Sequence, residues 1–390
     1  MKRRRFILIW IGLLLVLMGF AGGLAARSLW MATPFGGHPL LDEAESLLRA
    51  HFLHELPEPS ALERGMIRGM LDVVGDPFTV YLEPAAHELM TDTLSGEYGG
   101  IGVVLSRDAA GSVRLVPMAG GPASQAGILE GDILLAVDDA TSASSWSLDE
   151  IGAALRGPEG STVRLLIAAR APGEAERQLT IQRQTIPLPS ATGFLRADRP
   201  DIGVIALSGF TERTLDEVRQ AYADLTRRGM QALILDLRAN PGGLLESGVA
   251  VAEFFLDSGT VVIEQRRGER EIAYQVDAPG PGSRVPVAVL VDRSTASAAE
   301  IVAAALQANG RAPLVGETTF GKGSVQLIFE LADGSSLHIT SARWLTPERE
   351  VLDGTGLTPD LPVDPAAGTP GDPFAAAAIA WLDEQEGGAP

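Results

Sequence analysis

The sequence contains no cysteine. That excludes disulfides, thiolate metal sites and a cysteine nucleophile, and it leaves the compartment open. Histidine is scarce: four of the five, His38, His51, His54 and His87, fall early in the chain, and His338 falls in a hairpin strand. No histidine-based triad is suggested. Positive charge is in deficit, 31 Lys and Arg against 50 Asp and Glu for a net −19, which argues against a nucleic-acid or anionic-membrane surface on the body of the chain. A glycine-rich turn at Asn240-Pro241-Gly242-Gly243 lacks the Gly-Lys-Ser/Thr that a phosphate loop needs, so a nucleotide reading of it is weak. No cofactor and no metal are implied.

The sequence has length and apolar content in supply. Its 390 residues, 46% hydrophobic, suffice for two or three domains. Lys2-Arg3-Arg4-Arg5 precedes Phe6 to Ala26, a run without charge. As a helix its roughly 21 residues would reach ~31 Å, close to the ~30 Å of a bilayer core. The basic flank should stay cytoplasmic, so the body faces outward. A signal peptide cleaved near Leu24-Ala25-Ala26 is the competing reading, although the run exceeds a usual signal core. Both readings export the body, to the bacterial envelope or periplasm.

Pro39 to about Met90 is predicted helical and amphipathic, with Leu40, Leu41, Leu47 and Leu48 at helical spacing and Gly75 to Leu82 as an interrupting turn. The texture then changes. Strand-like runs at Ile101 to Leu105, Val113 to Val116, Ile133 to Val137 and Val163 to Ala168 alternate with glycine turns. Ser147-Leu148-Asp149-Glu150 is a capping box that opens a short helix ending near Arg156-Gly157. The order Gly99-Gly100-Ile101-Gly102, Gly121-Pro122-Ala123, Ala126-Gly127-Ile128 and Gly131-Asp132-Ile133-Leu134 resembles a PDZ domain. Such a glycine loop presents N–H groups to a peptide carboxylate, and the peptide adds as a strand.

From about Pro187 strands and helices alternate, which predicts parallel βαβ units. Val261 to Gln265 and Ile272 to Val276 read as strands within that pattern, and Val325 to Leu331 with Leu337 to Trp344 as a hairpin. The centre is Val285 to Gln326. An apolar β-branched run ends at Val291, Ser297-Ala298-Ala299-Glu300 opens an alanine-rich helix, and a second strand leads to Gly321-Lys322-Gly323-Ser324-Val325-Gln326. A serine at a helix start and a lysine between glycines are the parts of a Ser/Lys nucleophile pair. The plain alternatives are a capping serine, worth ~1 kcal/mol, and an exposed turn lysine. The tail, 366–390, should hold one helix.

Together these landmarks resemble the C-terminal processing proteases, serine peptidases that join a PDZ domain to a crotonase-like core. They include Gly75-Asp76-Pro77, Arg238-Ala239-Asn240-Pro241-Gly242-Gly243, Ala296 to Glu300, Thr319 to Gln326 and Gly356-Leu357-Thr358-Pro359-Asp360. The resemblance implies an α/β fold: a signal anchor over 1–30, a helical region over 31–96, an inserted PDZ domain over 97–186, a protease core over 187–365 and a helical tail. It implies Ser297 as nucleophile, Lys322 as general base and Gln326 as its orienting partner. Oxyanion donors would be the backbone N–H groups of Ala298, Gly242 and Gly243. Arg156 aligns with an arginine linked to PDZ-dependent activation. The chain departs from the family pattern at Asp292-Arg293, Thr295, Ala299 and Ala239, none of them a catalytic side chain.

A lysine serves as base only when neutral. At a pKa of ~10.4 about one in a thousand is neutral near pH 7.4, and burial can supply the correction. In the extended segment, positions 322, 324 and 326 would share a face, bringing the Gln326 amide to the amine. The expected partners are protein substrates with apolar C-terminal tails and the membrane. An adaptor and a homo-oligomer are left open, although the helical ends could pair subunits. A catalytically silent PDZ scaffold is the alternative function, but it needs neither Lys322 nor Gln326. A crotonase-like acyl-CoA enzyme suits the core alone.

Overall fold

The structure is a computed structural model that describes residues 38–138, 146–168, 175–365 and 371–387. The N-terminal apolar run and its basic flank lie outside them. Among the described residues no helix is long and apolar enough to cross a membrane. The chain divides into two units, Met1–Met70 and Leu71–Pro390.

The first unit holds α1 (Pro39–His51) and most of α2 (Pro59–Val74). The helix expected from Pro39 up to the Gly75 turn is broken at 52–58, where Pro57 withholds an N–H donor, and Pro59 starts α2. Leu40, Leu41, Leu47 and Leu48 of α1 are all exposed.

The second unit begins with β1 (Val80–Leu82) and α3 (Pro84–Ser95). The predicted turn over Gly75 to Leu82 therefore ends early, because its last three residues become a strand. β2 (Glu97–Gly100), β3 (Val103–Arg107), β4 (Val113–Pro117), α4 (Pro122–Gln125), β5 (Asp132–Val137), α5 (Leu148–Leu155), β6 (Thr162–Ala168), β7 (Glu176–Gln182) and β8 (Gln184–Pro187) follow. β3 to β7 form an antiparallel sheet in chain order, so β3 is an edge, and β2 pairs with β8. Leu115, Ile151, Val163 and Leu165 fill its core. The capping box is present: Ser147 N–H donates to Glu150 Oε2 at 2.7 Å, and Glu150 N–H donates to Ser147 Oγ at 3.2 Å.

The rest of the unit comprises β9 (Ala191–Leu195), β10 (Ile202–Leu207), α6 (Thr214–Arg227), β11 (Ala232–Asp236), α7 (Leu245–Phe255), β12 (Thr260–Arg266), β13 (Ile272–Gln275), β14 (Val287–Val291), α8 (Ala298–Ala308), β15 (Leu314–Gly316), β16 (Ser324–Glu330), β17 (Ser336–Leu345), β18 (Leu361–Pro362) and α9 (Pro373–Gly387). One sheet has the order β18-β15-β14-β11-β10-β9 and is parallel except for β9. Successive side chains point to opposite faces of a strand. Accordingly Leu233 and Leu235 of β11, with Val287, Val289 and Val291 of β14, pack in the cluster that holds α6, α7 and α8. Ala232, Ile234, Ala288 and Leu290 pack on the other face against Phe374, Ala378 and Leu382 of α9. The C-terminal helix is thus a cover for the sheet rather than a free tail.

β12 and β13 depart from the parallel reading. They pair antiparallel with each other and belong to a second sheet, ordered β1-β17-β12-β13 with β16 on β17. Only 267–271 separates them, too short for a parallel crossover.

Candidate active site

β14 is buried along its whole length and delivers the chain into the head of α8. Between them Ser297 adopts φ 55° and ψ −119°. A residue with a Cβ rarely sits there, and the conformation costs of order 1–3 kcal/mol that the surroundings must supply. A helix-capping serine normally has an extended backbone instead. The backbone of Ser297 is therefore that of a sharp strand-to-helix corner.

Glu300, fully buried one turn into α8, anchors that corner. Its Oε2 accepts from the N–H groups of Ser297 and Lys322, both at 2.9 Å. Its Oε1 accepts from Thr319 Oγ1 at 2.6 Å and Gly321 N–H at 2.7 Å. One carboxylate thus ties the backbone of the serine to the backbone of the lysine. In the sequence Glu300 stands out only as one of the residues that open α8; the return of residues 319–322 onto it carries no spacing signal.

Lys322 is half-buried, and burial pushes its amine below the usual lysine range. Its Nζ lies 3.2 Å from Gln326 Oε1. Among the described residues no hydrogen bond joins Nζ to Ser297 Oγ. Lys322 and Gln326 do meet, but not through a simple two-residue period: β16 starts at Ser324, and the register shifts between Val325 and Gln326. Phe78, absent from the sequence reading of the site, touches both residues. Its carbonyl accepts from Gln326 Nε2, and its ring lies 5.0 Å from Lys322 Nζ.

The turn 238–243 faces Ser297 from the end of β11. A Cβ added to Gly242, whose φ is +101°, would stand 2.7 Å from Ser297 Cβ, so glycine permits this approach. Buried Asn240 braces the turn: its Nδ2 donates to Leu207 O and its Oδ1 accepts from Gly242 N–H, both at 2.9 Å. The Gly242 amide is therefore engaged inside the turn. Asp292 accepts from Ala239 N–H at 3.0 Å. Ala298 heads α8, where the first amides of a helix have no intrahelical acceptor.

Gly99 and Gly100 lie in β2, paired with Thr185 and Gln184 of β8. Ile101 is buried in the core of the antiparallel sheet, and Gly102, at φ +68°, turns the chain into edge strand β3. Beside them is a groove of about 640 Å³, lined by Ile101, Val103 and Leu105 on one side and Leu148 and Ala153 of α5 on another. Leu89 of α3 also lines it. Arg156, which ends α5, stacks its guanidinium 4.8 Å from the Tyr98 ring and reaches Asp92 of α3 at 3.5 Å. Burial raises the Asp92 carboxyl, with Arg156 opposing.

Residues 201–363 match peptidase family S41, and residues 113–168 match the PDZ domain. The carboxyl-terminal-processing peptidase 2 of Arabidopsis thaliana chloroplasts is 37% identical over 311 residues, which cover 76% of this chain and 59% of that protein. The carboxyl-terminal-processing protease of Synechocystis is 37% identical over 302 residues, covering 76% of this chain and 70% of that one. The chain belongs to the carboxyl-terminal processing peptidases. A carboxy-terminal processing protease of Bacillus subtilis, 32% identical over 323 residues, covers 82% of this chain and is itself covered over 68%. This chain spans well under two thirds of the Arabidopsis relative. Within this serine peptidase family the S41 match takes in Ser297, Lys322 and the turn 238–243, and the PDZ match takes in β4 to β6.

Proposed function

We propose that the chain is an exported serine endopeptidase that captures the apolar C-terminal tail of a protein in its PDZ groove and cleaves nearby through an acyl-enzyme on Ser297. The single observation that supports this most is the shared hold of Glu300 on the backbones of Ser297 and Lys322. Neutral Lys322 takes the proton of Ser297 Oγ as that oxygen attacks the substrate carbonyl. The developing oxyanion is met by the amides of Ala298 and Gly243, since that of Gly242 is engaged by Asn240. Lysine then returns the proton to the leaving amine, and water attacking the ester regenerates the serine.

In this reading residues 97–186 capture, residues 187–365 cut, and the apolar run after Lys2-Arg3-Arg4-Arg5 carries the body across, or tethers it to, the bacterial inner membrane. The exposed leucines of α1 favour pairing with a second copy. The deciding experiment incubates the purified protein with an unfolded substrate bearing an apolar tail and follows products by intact mass.

The pH dependence has a defined sign. The neutral amine is the active form, so kcat/KM rises as pH climbs through the lysine pKa, and a lowered pKa moves that rise to lower pH. The acidic limb is expected below the ~10.4 of an ordinary lysine. A limb at or above that value in a pH–rate profile counts against Lys322 as the base.

Arg156 joins α5, which lines the groove, to α3, which follows β1 and the turn bearing Phe78. That path supports a coupling of tail capture to the base. Arg156→Ala is expected to lower kcat/KM for tailed substrates roughly tenfold while melting behaviour stays put. The ion pair is partly solvated and adds little to stability. Unchanged turnover of tailed substrates rejects the coupling.

A further inference from the structure

The turn that carries Phe78 is built to hold one pose. Asp76 Oδ1 accepts from Phe78 N–H at 3.1 Å, and Asp76 Oδ2 accepts from Thr79 Oγ1 at 2.5 Å. Thr79 Oγ1 in turn accepts from Thr340 N–H of β17 at 3.2 Å. β1 then pairs along β17, with Val80 opposite His338. A segment more than two hundred residues upstream is thereby fastened beside Lys322 and Gln326.

We propose that Phe78 is a positioning residue for the general base: its carbonyl orients the Gln326 amide so that Oε1 faces Lys322, and its ring shields the Lys322 amine from water. The inference rests on the reading of Lys322 as base. An amide side chain has a donating and an accepting end, and alone it has no reason to prefer one orientation. A backbone carbonyl only accepts. Bound to Phe78 O, the NH2 of Gln326 is committed away from Lys322, and its oxygen is left for the amine.

The ring acts in two directions. Its face attracts a cation and so favours the charged amine, and its bulk excludes water and so favours the neutral one. The other ionisable groups nearby come from several elements. Glu300 of α8 holds the Lys322 N–H, Asp353 holds Gly323 N–H at 2.8 Å, Asp76 anchors the Phe78 turn, and His338 lies on β17. Burial first, then the charges of His87 and Lys322, push His338 down. These three carboxylates are engaged by backbone N–H groups: Glu300 by that of Lys322, Asp353 by that of Gly323 and Asp76 by that of Phe78. Burial is what pushes the amine down, and Phe78 is the apolar wall whose ring lies against it.

The test reads Lys322 directly. The pH midpoint for acylation of its amine by a soluble active ester is followed by peptide mass spectrometry on the full chain, beside the pH profile of kcat/KM. In Phe78→Ala the midpoint is expected to move up toward the ~10.4 of a solvated lysine. The acidic limb should move with it, for a loss of roughly a hundredfold at neutral pH that alkaline buffer recovers. Phe78→Leu keeps a non-polar wall and should keep the wild-type midpoint. Phe78→Gln, similar in length but wettable, replaces the alanine variant if that one does not melt cooperatively, and its midpoint should also rise.

An unmoved midpoint in the alanine or glutamine variant overturns the proposal, as does a loss of activity equal at every pH. A leucine variant as damaged as the alanine one does the same. If the wild type cleaves nothing while the Lys322 midpoint still depends on Phe78, the peptidase reading fails, the role toward a general base falls with it, and only the shielding of the amine by the ring stands.

Discussion

Replacing Ser297 with alanine is expected to abolish cleavage of a tailed substrate, lowering kcat by at least about a thousandfold. Binding of an apolar C-terminal peptide to the groove beside α5 should be unchanged. The two ways of reading this serine differ in kind. A capping serine gives up ~1 kcal/mol of stability when lost and leaves the rate alone. A nucleophile gives up the rate and leaves the fold alone. The backbone of Ser297, at φ 55°, already departs from the capping geometry, and alanine inherits the same strain, so little change in melting temperature is expected. Lys322→Ala should match the serine variant, and the double variant should be no worse than either, because groups that act as a unit are not additive. Intact-mass analysis of the substrate after incubation decides the matter. Equal cleavage by wild type, Ser297→Ala and Lys322→Ala would end the catalytic assignment.

The second large effect falls on Glu300. Four donors converge on its two oxygens, three of them backbone N–H groups that have no freedom to turn elsewhere. Glu300→Ala leaves those donors buried and unpaired, at a cost of ~1–3 kcal/mol for each such group and less than the sum for the set. A loss of about 4 kcal/mol, or roughly 10 °C in melting temperature, is expected. Glu300→Gln is nearly the same size and is still expected to fail. Whichever way it turns, its NH2 meets at least one backbone N–H, so at least one contact turns repulsive. Cleavage should fall about a hundredfold or more in both variants, because the backbones of Ser297 and Lys322 are no longer held to a common point. A glutamine variant that melts and cleaves like wild type would show that the carboxylate does not set the spacing of the pair.

Much of this was legible along the chain. The β-branched run into β14 and the alanine-rich α8 stand where periodicity puts them, and the corner between them falls at Ser297. The capping box of α5, the order of glycines ahead of β3, and the alternation of β10, α6 and β11 are all local signals, and local signals survive in a one-dimensional string. Other features left no such trace. β12 and β13 look like any other apolar strands, and only their partners make them part of an antiparallel sheet. A bulge at Gln326 replaces the simple alternation expected there. α9 reads as a terminal helix until its Phe374, Ala378 and Leu382 are seen covering the parallel sheet.

The chemistry on offer is written in short stretches of chain: a hydroxyl at the mouth of a helix, an amine between glycines, an amide four residues on, and a glycine loop ahead of an edge strand. Each is a matter of residue type and short spacing. What surrounds that chemistry came from the folding of distant segments onto it. That folding brought Glu300 under two backbones, set Phe78 against the amine and committed the Gly242 amide to Asn240. The reason is physical. Desolvation and hydrogen-bond direction depend on which distant segments close over a group, and no local propensity encodes that closure.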